Sequence, residues 1–511
     1  MAKTSSTPET VSTDYLAMRP YWQTVSDILG GAPAMKAAGE TYLPRFPNET
    51  TDDYDYRRKN ARFTNIYADV VTSLARKPFG QEIVLADGAP DRVAALAEDI
   101  DGRGNNLHVF ASETFFDGVN DAVSWVLVDY TRATERADGQ RLSLADERVQ
   151  GLRPYWVRIP ANRMLAVYSD TVRGAEVITH ARIREDVVMR DGFDEVAVER
   201  VRMFDRAPVY AMLEDGTVTD TVIDYGPAIF TIFERRVEAV GRRTNNGWDI
   251  VDQGPVTLGV IPLVPFITGK RLGGGWRFYP PLQGVADLQV EHYQQETALK
   301  SIKELTAFPM LAGNGVQPGM SAGKVEAVPV GPRAVLYAPP NGETGNHGEW
   351  SFIEPSSESL RFLAEEVKAT EAQMRELGRQ PLSVSAGITV VAAAFASQKA
   401  TSVLQAWALG LKDCLEQCLK LTADWLNLGV EPEISWNLDD LDLTDDDKGP
   451  TLIMEARKNG DLSRETVWAE FRRRGVLAAD FDREAEADRL EAEMPGDDEE
   501  PDLRAAAGAV E

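Results

Sequence analysis

The stretch PPLQGVADLQVEHYQQETALKSIKEL, residues 280–305, decides how the rest of the chain is read. Its apolar residues Leu282, Val285, Leu288, Leu299, Ile302 and Leu305 fall on one narrow helical stripe, with the polar run Glu291 to Glu296 on the same line. At about 1.5 Å per residue such a helix is roughly 36 Å long, yet it has little to bury on its own. A second helix of the same kind is LRFLAEEVKATEAQMRELG, residues 360–378. There Leu360, Leu363, Val367, Thr370, Met374 and Leu377 make a heptad-like seam too narrow for an ordinary core. The interval between them, 308–355, is rich in Gly and Pro and holds short strand candidates at Val325–Val330, Ala334–Tyr337 and Trp350–Ile353.

Ahead of this pair, helical spacing runs over Asp14–Leu29, ended by Gly30-Gly31, and over Arg57–Lys77, stopped by Pro78. Pro90–Ile100 and Asn106–Asn120 are helical as well. From residue 122 the period changes: AVSWVLVDY (122–130) and shorter β-branched or aromatic runs at Tyr155–Ile159, Ala175–Arg184, Val196–Phe204, Tyr210–Leu213 and Ile229–Val237 predict strands. Turn pairs such as Asp191-Gly192 and Asp215-Gly216 separate them, and no helices alternate with them, so 122–268 reads as antiparallel β. Behind the second helix come a loop from Gly378 to Gly387 and a long helix, Val390–Leu428. Its broad apolar face carries Leu404, Trp407, Leu411, Cys414, Leu415, Cys418, Leu421 and Trp425. Thr451–Lys458 and Arg464–Arg473 read as short helices. Residues 1–13 and 494–511 have nothing to bury and read as a disordered arm and tail.

The 511 residues, 43% apolar, fit a multidomain globular chain of class α+β. The 81 acidic against 54 basic residues give a net charge of −27, which excludes a general phosphate-binding coat. Beyond Gly429 there are 25 acidic and 10 basic residues, so −15 of that charge is local to the end of the chain. Two cysteines exclude a disulfide scaffold and point to a reducing compartment. No apolar run approaches the roughly 18 residues of a membrane helix and the N-terminus lacks a signal-peptide core, which predicts a soluble, unsecreted protein with no membrane partner.

Catalytic signatures are missing. In GNGVQPGMSAGK (313–324) Pro318 stands where a phosphate loop needs its first glycine, and Val325 follows Lys324 in place of the magnesium-binding Ser or Thr. Cys414 and Cys418 share a helical face without further ligands nearby in sequence, and His108, His180, His292 and His347 are scattered. The expectation is no enzyme, no cofactor and no metal.

Taken in order, YLPRFPNE with Tyr54, Arg57, Ala61 and Phe63-Thr64-Asn65, then RPYWVRIPANRML (153–165), IPLVPF (261–266), PPLQGVADLQVEHYQ (280–294), VGPRAVLYAPPNG, the two narrow helices, SVLQAWALGLKDCLEQCLKLTADWL and KNGDLSRETVWAEFRRRGVL make the chain resemble the portal proteins of tailed bacteriophages. The resemblance spans nearly the whole chain and implies a portal-like fold with an α/β wing, a helical stem, a small β-containing clip and an α-helical crown, assembled as a ring. It places the wing at 14–268, stem helix 1 at 280–306, the clip at 308–355, stem helix 2 at 356–378, the tunnel loop at 379–391, a long wing or crown helix at 392–428 and the acidic crown at 429–493. Ile388 to Ala396 is more apolar than a DNA-facing loop should be, which leaves the tunnel-loop boundary open.

It further implies a homo-oligomer of roughly twelve subunits whose channel passes double-stranded DNA. Implied partners are the terminase large subunit, head-completion or adaptor proteins, and the major capsid and scaffolding proteins. The place would be one vertex of the virion capsid, reached from the host cytoplasm during assembly. The stem stripes, Leu282, Val285, Leu288, Leu299, Ile302 and Leu305 with Leu360, Leu363, Val367, Met374 and Leu377, would then pack subunit against subunit. Lys300, Lys303, Arg379, Gln380, Ser383 and Ser385 are candidates for facing the channel. Another virion scaffold or capsid-associated protein, or a nucleic-acid-processing enzyme, stays open as an alternative.

Overall fold

The computed structural model describes residues 7–131, 146, 149–212, 218–235, 247–306, 310–314, 320–321, 324–325, 349–353, 357–379, 390–436, 438, 453–454, 456–460, 462–473 and 486. The chain divides into two compact units, one ending at Asn437 and one spanning Leu438–Glu511.

The first unit opens with helices α1 (Thr13–Leu29), α2 (Gly31–Ala38), α3 (Thr51–Asn60) and α4 (Ile66–Arg76). A short strand β1 (Val84–Leu85), α5 (Asp91–Ala97) and α6 (Leu107–Asp121) follow. Four of these helices start where an oxygen-bearing side chain can take an orphan amide: Ser12 accepts from Tyr15 N, Thr50 from Asp53 N, Asn65 from Ala68 N and Asn106 from Val109 N. These caps account for one departure from expectation. The predicted single helix Arg57–Lys77 is two helices, because Asn65 starts a new one after the extended Ala61 that ends α3.

Strands β2 (Val123–Tyr130), β3 (Pro154–Pro160), β4 (Met164–Val172), β5 (Ala175–Asp191), β6 (Asp194–Asp205), β7 (Pro208–Met212), β8 (Val218–Tyr225), β9 (Ile229–Arg235), β10 (Trp248–Pro255), β11 (Leu263–Ile267), β12 (Lys270–Arg271) and β13 (Phe278–Tyr279) come next. The order β10-β9-β6-β5-β4 makes a five-stranded sheet and β11-β2-β3 a three-stranded one, and every pairing is antiparallel. Strand β2 reads as an apolar run broken by Ser124 alone, VSWVLV, because Val123 to Val128 are buried on both faces. The core between the sheets gathers Met18 and Trp22 of α1, Trp125 and Leu127 of β2, Ile183, Phe204 and Phe278. Strands β4, β8 and β10 escape sequence patterning, since much of each faces water.

Helix α7 (Gln283–Thr306) leads into strands β14 (Met310–Asn314), β15 (Met320–Ser321), β16 (Lys324–Val325) and β17 (Glu349–Ile353), then α8 (Ser357–Arg379) and α9 (Val390–Trp425). Strand β17 fulfils the candidate at Trp350–Ile353 and pairs with β14. The candidate Ala334–Tyr337, all of Val325–Val330 but its first residue, the arm residues 1–6, the loop 380–389 and the tail 494–511 lie outside the described residues. On α9, Leu404, Leu411, Cys414, Leu415 and Cys418 are buried, while Trp407, Leu421 and Trp425 are half-buried. The Trp156 indole donates to Thr422 Oγ1 at 2.9 Å, which locks β3 to that helix.

Two boundaries differ from the sequence reading. Residues 7–13 are not a loose arm: Ser12 caps α1 and takes a strand-like bond to Leu165 O, and Glu9 lies 3.4 Å from Arg235. Residues 431–436, expected in the acidic end segment, belong to the first unit. Strand β18 (Ile434–Ser435) pairs with β1, and the Trp436 indole donates to Pro78 O at 3.1 Å. In the second unit, α10 (Arg464–Arg473) is capped by Ser463, which accepts from Thr466 N at 3.2 Å. The whole is mixed α and β, as predicted. No helix among the described residues is long and apolar enough to cross a membrane.

Candidate functional site

The α7 and α8 helices form an antiparallel pair. Thr370 Oγ1 donates to Gln295 Oε1 at 2.9 Å, and His292 Nε2 lies 3.2 Å from Glu371 Oε1, so residue numbers rise on one helix as they fall on the other. Val367, Thr370, Met374 and Gly378 of α8 are buried, as are Val285, His292 and Leu299 of α7. The far end of α8 rests on α4, where Arg375 pairs with Asp69 at 2.8 Å. A Cβ on Gly378 would stand 2.1 Å from Val70 Cγ1, so only glycine lets the two helices meet there. Gly378→Ala is expected to cost about 1–3 kcal/mol by overpacking, measured as a lowered unfolding temperature.

The other side of α7 meets the segment joining α3 to α4. Gln289, fully buried, accepts from the amides of Ile66 and Tyr67, each at 2.9 Å, and donates to Thr64 O at 3.0 Å. It therefore caps α4 from a different helix. Glu296 accepts from Thr64 Oγ1 at 3.0 Å and pairs with Arg62 at 2.9 Å. Lys300 Nζ donates to Asn60 O at 2.6 Å, Gln294 Nε2 to Tyr42 O at 2.9 Å, and Tyr293 meets Phe63 edge to face.

The helix expected to have little to bury thus buries a polar band. The hydrogen bonds of Gln289, Glu296 and Lys300 go to residues more than 220 positions earlier in the chain, so local patterning does not name their partners. Gln289, Glu296 and Lys300 lie seven and four residues apart, a polar line beside the apolar one, which is the signal available in the sequence.

The α3 end of this junction is held by Arg57, whose Nε and Nη2 each reach Glu49 at 2.7 Å and whose Nη2 also donates to Pro44 O at 2.8 Å. Both partners are less than a tenth exposed. Hydrogen bonding from Arg57 holds the Glu49 carboxyl below the usual carboxylate range.

Of the stem-stripe residues, Leu282, Val285, Leu299, Val367 and Met374 are covered within their own chain, and Leu288, Ile302, Leu360, Leu363 and Leu377 are half-buried. Lys303 is exposed, whereas Lys300 is engaged at the end of α3. The side chains of Leu305 and Arg379, and the residues Gln380, Ser383 and Ser385, lie outside the described residues.

A cavity of about 510 Å³ lies between the two larger sheets and the end of α9. Its charges pair off: Arg202 bonds Asp129 at 2.5 Å and lies 2.8 Å from Glu185, and Arg200 bonds Glu234 at 2.8 Å. No group of three or more His, Cys, Asp or Glu able to hold a metal occurs among the described residues. Cys414 and Cys418 are free and buried.

Residues 281–426, which contain α7, α8 and α9, match the model of a domain of unknown function (DUF4055). No curated protein matches. Among solved structures, the chain is similar to one in the neck of a native gene transfer agent particle computed with twelvefold symmetry. There the identity is 13%, covering 90% of this chain and 98% of the other, with a TM-score of 0.37. A chain of the native gene transfer agent virion gives 13% identity, coverage of 89% and 98% and a TM-score of 0.36. One in the neck of the empty particle, computed with sixfold symmetry, gives 14%, 91% and 99% and 0.38.

Proposed function

We propose that the chain is the subunit of a portal ring: a homo-oligomer at one capsid vertex whose channel passes double-stranded DNA during packaging and ejection. The ring would be the docking platform for the terminase large subunit and, later, for head-completion or adaptor proteins. In this reading 14–268 is the wing, α7 and α8 are the stem, the β14–β17 segment is the clip, 379–391 the tunnel loop and 429–493 the crown. The observation that carries it is the α7–α8 pair, two long antiparallel helices joined through a β-paired insertion and standing on a wing of helices and antiparallel sheets. The order of sequence motifs that resembles portal proteins supports the same assignment.

Because the buried side of α8 is occupied by its own chain, a neighbouring subunit meets the opposite side. Phe362 stands there at 66% exposure, beside Arg361 and Glu365. Val367→Asp would disrupt the hairpin itself rather than test the ring. Phe362→Glu is expected to leave the unfolding temperature of the subunit unchanged while weakening each subunit junction by about 2 kcal/mol. Electron microscopy of purified protein decides the proposal: rings with an axial hole, depleted in the Phe362→Glu variant, support it. A monodisperse monomer under all assembly conditions, or robust nuclease or ATPase turnover, overturns it.

A further inference from the structure

The β5–β6 hairpin runs past the sheet it belongs to. Strand β4 pairs with β5 only as far as Ile183, and β9 with β6 only from Arg200, so 184–199 continues as a two-stranded ribbon with no further strand beside it among the described residues. Such ribbons are marginal on their own. Gly192, at φ 65°, comes first in the two-residue turn that closes the ribbon. Phe193 comes second and stands at 103% exposure, with Val188 and Met189 exposed behind it. Asp194 and Glu195, both exposed, follow it in the chain. Nothing within the subunit calls for an aromatic ring held out in water on such an arm.

The cavity between the two larger sheets and the end of α9 has the complementary character. Its volume of about 510 Å³ lies within the roughly 300–1,000 Å³ of sites that enclose a guest. The charges of its walls pair off, Arg202 with Asp129 and Arg200 with Glu234, so they are poorly placed to hold a free ion. The rest is largely aromatic: Tyr130 stacks on Trp425 at 5.2 Å, and Phe204 and Phe230 line the same space. Two donors of the lining residues, Trp425 Nε1 and Arg200 Nε, are shut off from water without an acceptor among the described residues, which costs free energy until an acceptor arrives. The hairpin cannot fill the cavity of its own subunit. At about 3.3 Å per residue along β6, Phe193 stands roughly 20 Å beyond Arg200, the first residue of that strand in the cavity wall.

We propose that the Phe193 tip of one copy of the chain enters this cavity in a second copy, where its ring joins the aromatic wall and the Asp194 and Glu195 carboxylates supply acceptors. Tip and cavity are different surfaces, so the contact is heterologous, and repeated about an axis it links each copy to the next. The inference rests on the ring of the portal reading and adds to it the residues that join neighbouring subunits.

Val251 is exposed at the cavity and offers a position for a crosslink. An Asp194→Cys/Val251→Cys variant of the full chain keeps the Phe193 ring. Assembled and treated with a short bismaleimide, it is expected to give a ladder of multimers on a denaturing gel, and each single variant none. Cys414 and Cys418 are buried, so the wild type serves as the blank. Phe193→Ser should leave the unfolding temperature of the subunit unchanged and weaken self-association about thirtyfold in sedimentation velocity. Phe193→Tyr should retain it. A missing ladder together with unchanged association of Phe193→Ser overturns the proposal. So does a crosslinked dimer of Asp194→Cys alone, which sets tip against tip, and so does a Phe193→Ser variant that self-associates normally but no longer enters particles, which gives the tip to a different protein. Electron micrographs of the same samples separate the two failures. Wild-type rings without the ladder reject this contact alone, and absence of rings in the wild type rejects the portal reading.

Discussion

Arg57→Met should destabilise the first unit by about 3–5 kcal/mol in urea unfolding, because it strands a buried carboxylate. Arg57 satisfies both oxygens of Glu49 and the carbonyl of Pro44, and its guanidinium lies over the Phe46 ring at 4.2 Å. Methionine keeps the aliphatic stem but leaves Glu49 with the Phe46 amide as its other partner. Arg57→Met/Glu49→Leu should recover most of the loss, since a well-packed apolar pair removes both desolvation costs.

The effect has a pH dependence of known sign. In the wild type the folded-state pKa of Glu49 lies below its unfolded value, so the pair's stabilisation is complete above the unfolded pKa of about 4.3. It is lost as pH falls through the lower folded value. In the single variant the carboxyl is buried unpaired and prefers its proton, so acid helps it. The stability gap between wild type and variant should therefore narrow as pH drops below about 4. A gap that widens on acidification would show that Glu49 is not the group responsible.

Gln289→Leu should cost about 3 kcal/mol. It leaves the Ile66 and Tyr67 amides and the Thr64 carbonyl without the partner that now serves all three, in a site closed to water. Leucine is close in volume, so packing alone would predict a small effect. Hydrogen exchange separates the explanations: the amides of Ile66 and Tyr67 should exchange much faster in the variant, while the interior of β2 stays protected. Gln289→Glu keeps the acceptor for two amides at a helix N-terminus but loses the donor to Thr64, so an intermediate loss is expected.

Those two sites mark where the sequence stops being legible. The helices with ordinary amphipathic faces, such as α1 and α9, and the strands with apolar runs, such as β2 and β3, follow from spacing, because burial of apolar side chains writes a period into the chain. The α7 band does not, since Gln289, Glu296 and Lys300 look like a solvated face until residues 60–67 are laid along it. Arg57 and Glu49 carry no periodic signal, and only the approach of Pro44 and Phe46 makes them interior. The strap at 431–436 sits in an acidic stretch and contributes two short β residues and one tryptophan, too little for a periodic signal. The outward position of Phe362 was hidden by the heptad seam on the same helix, which identifies the inner side and leaves the other unspecified.

The polar band on α7 also bears on how the hairpin can move. Apolar surfaces tolerate sliding in small increments, whereas a row of donors and acceptors matched one to one has good positions only where the whole row matches again. For α7 against residues 60–67, a shift of a fraction of a turn would break the bonds of Gln289, Glu296 and Lys300 together. The next helical repeat lies about 5.4 Å away. One turn along, Val285 or Tyr293 would stand opposite the Ile66 and Tyr67 amides and a carboxylate opposite the Asn60 carbonyl, so the row does not match again and α7 keeps a single axial register against residues 60–67.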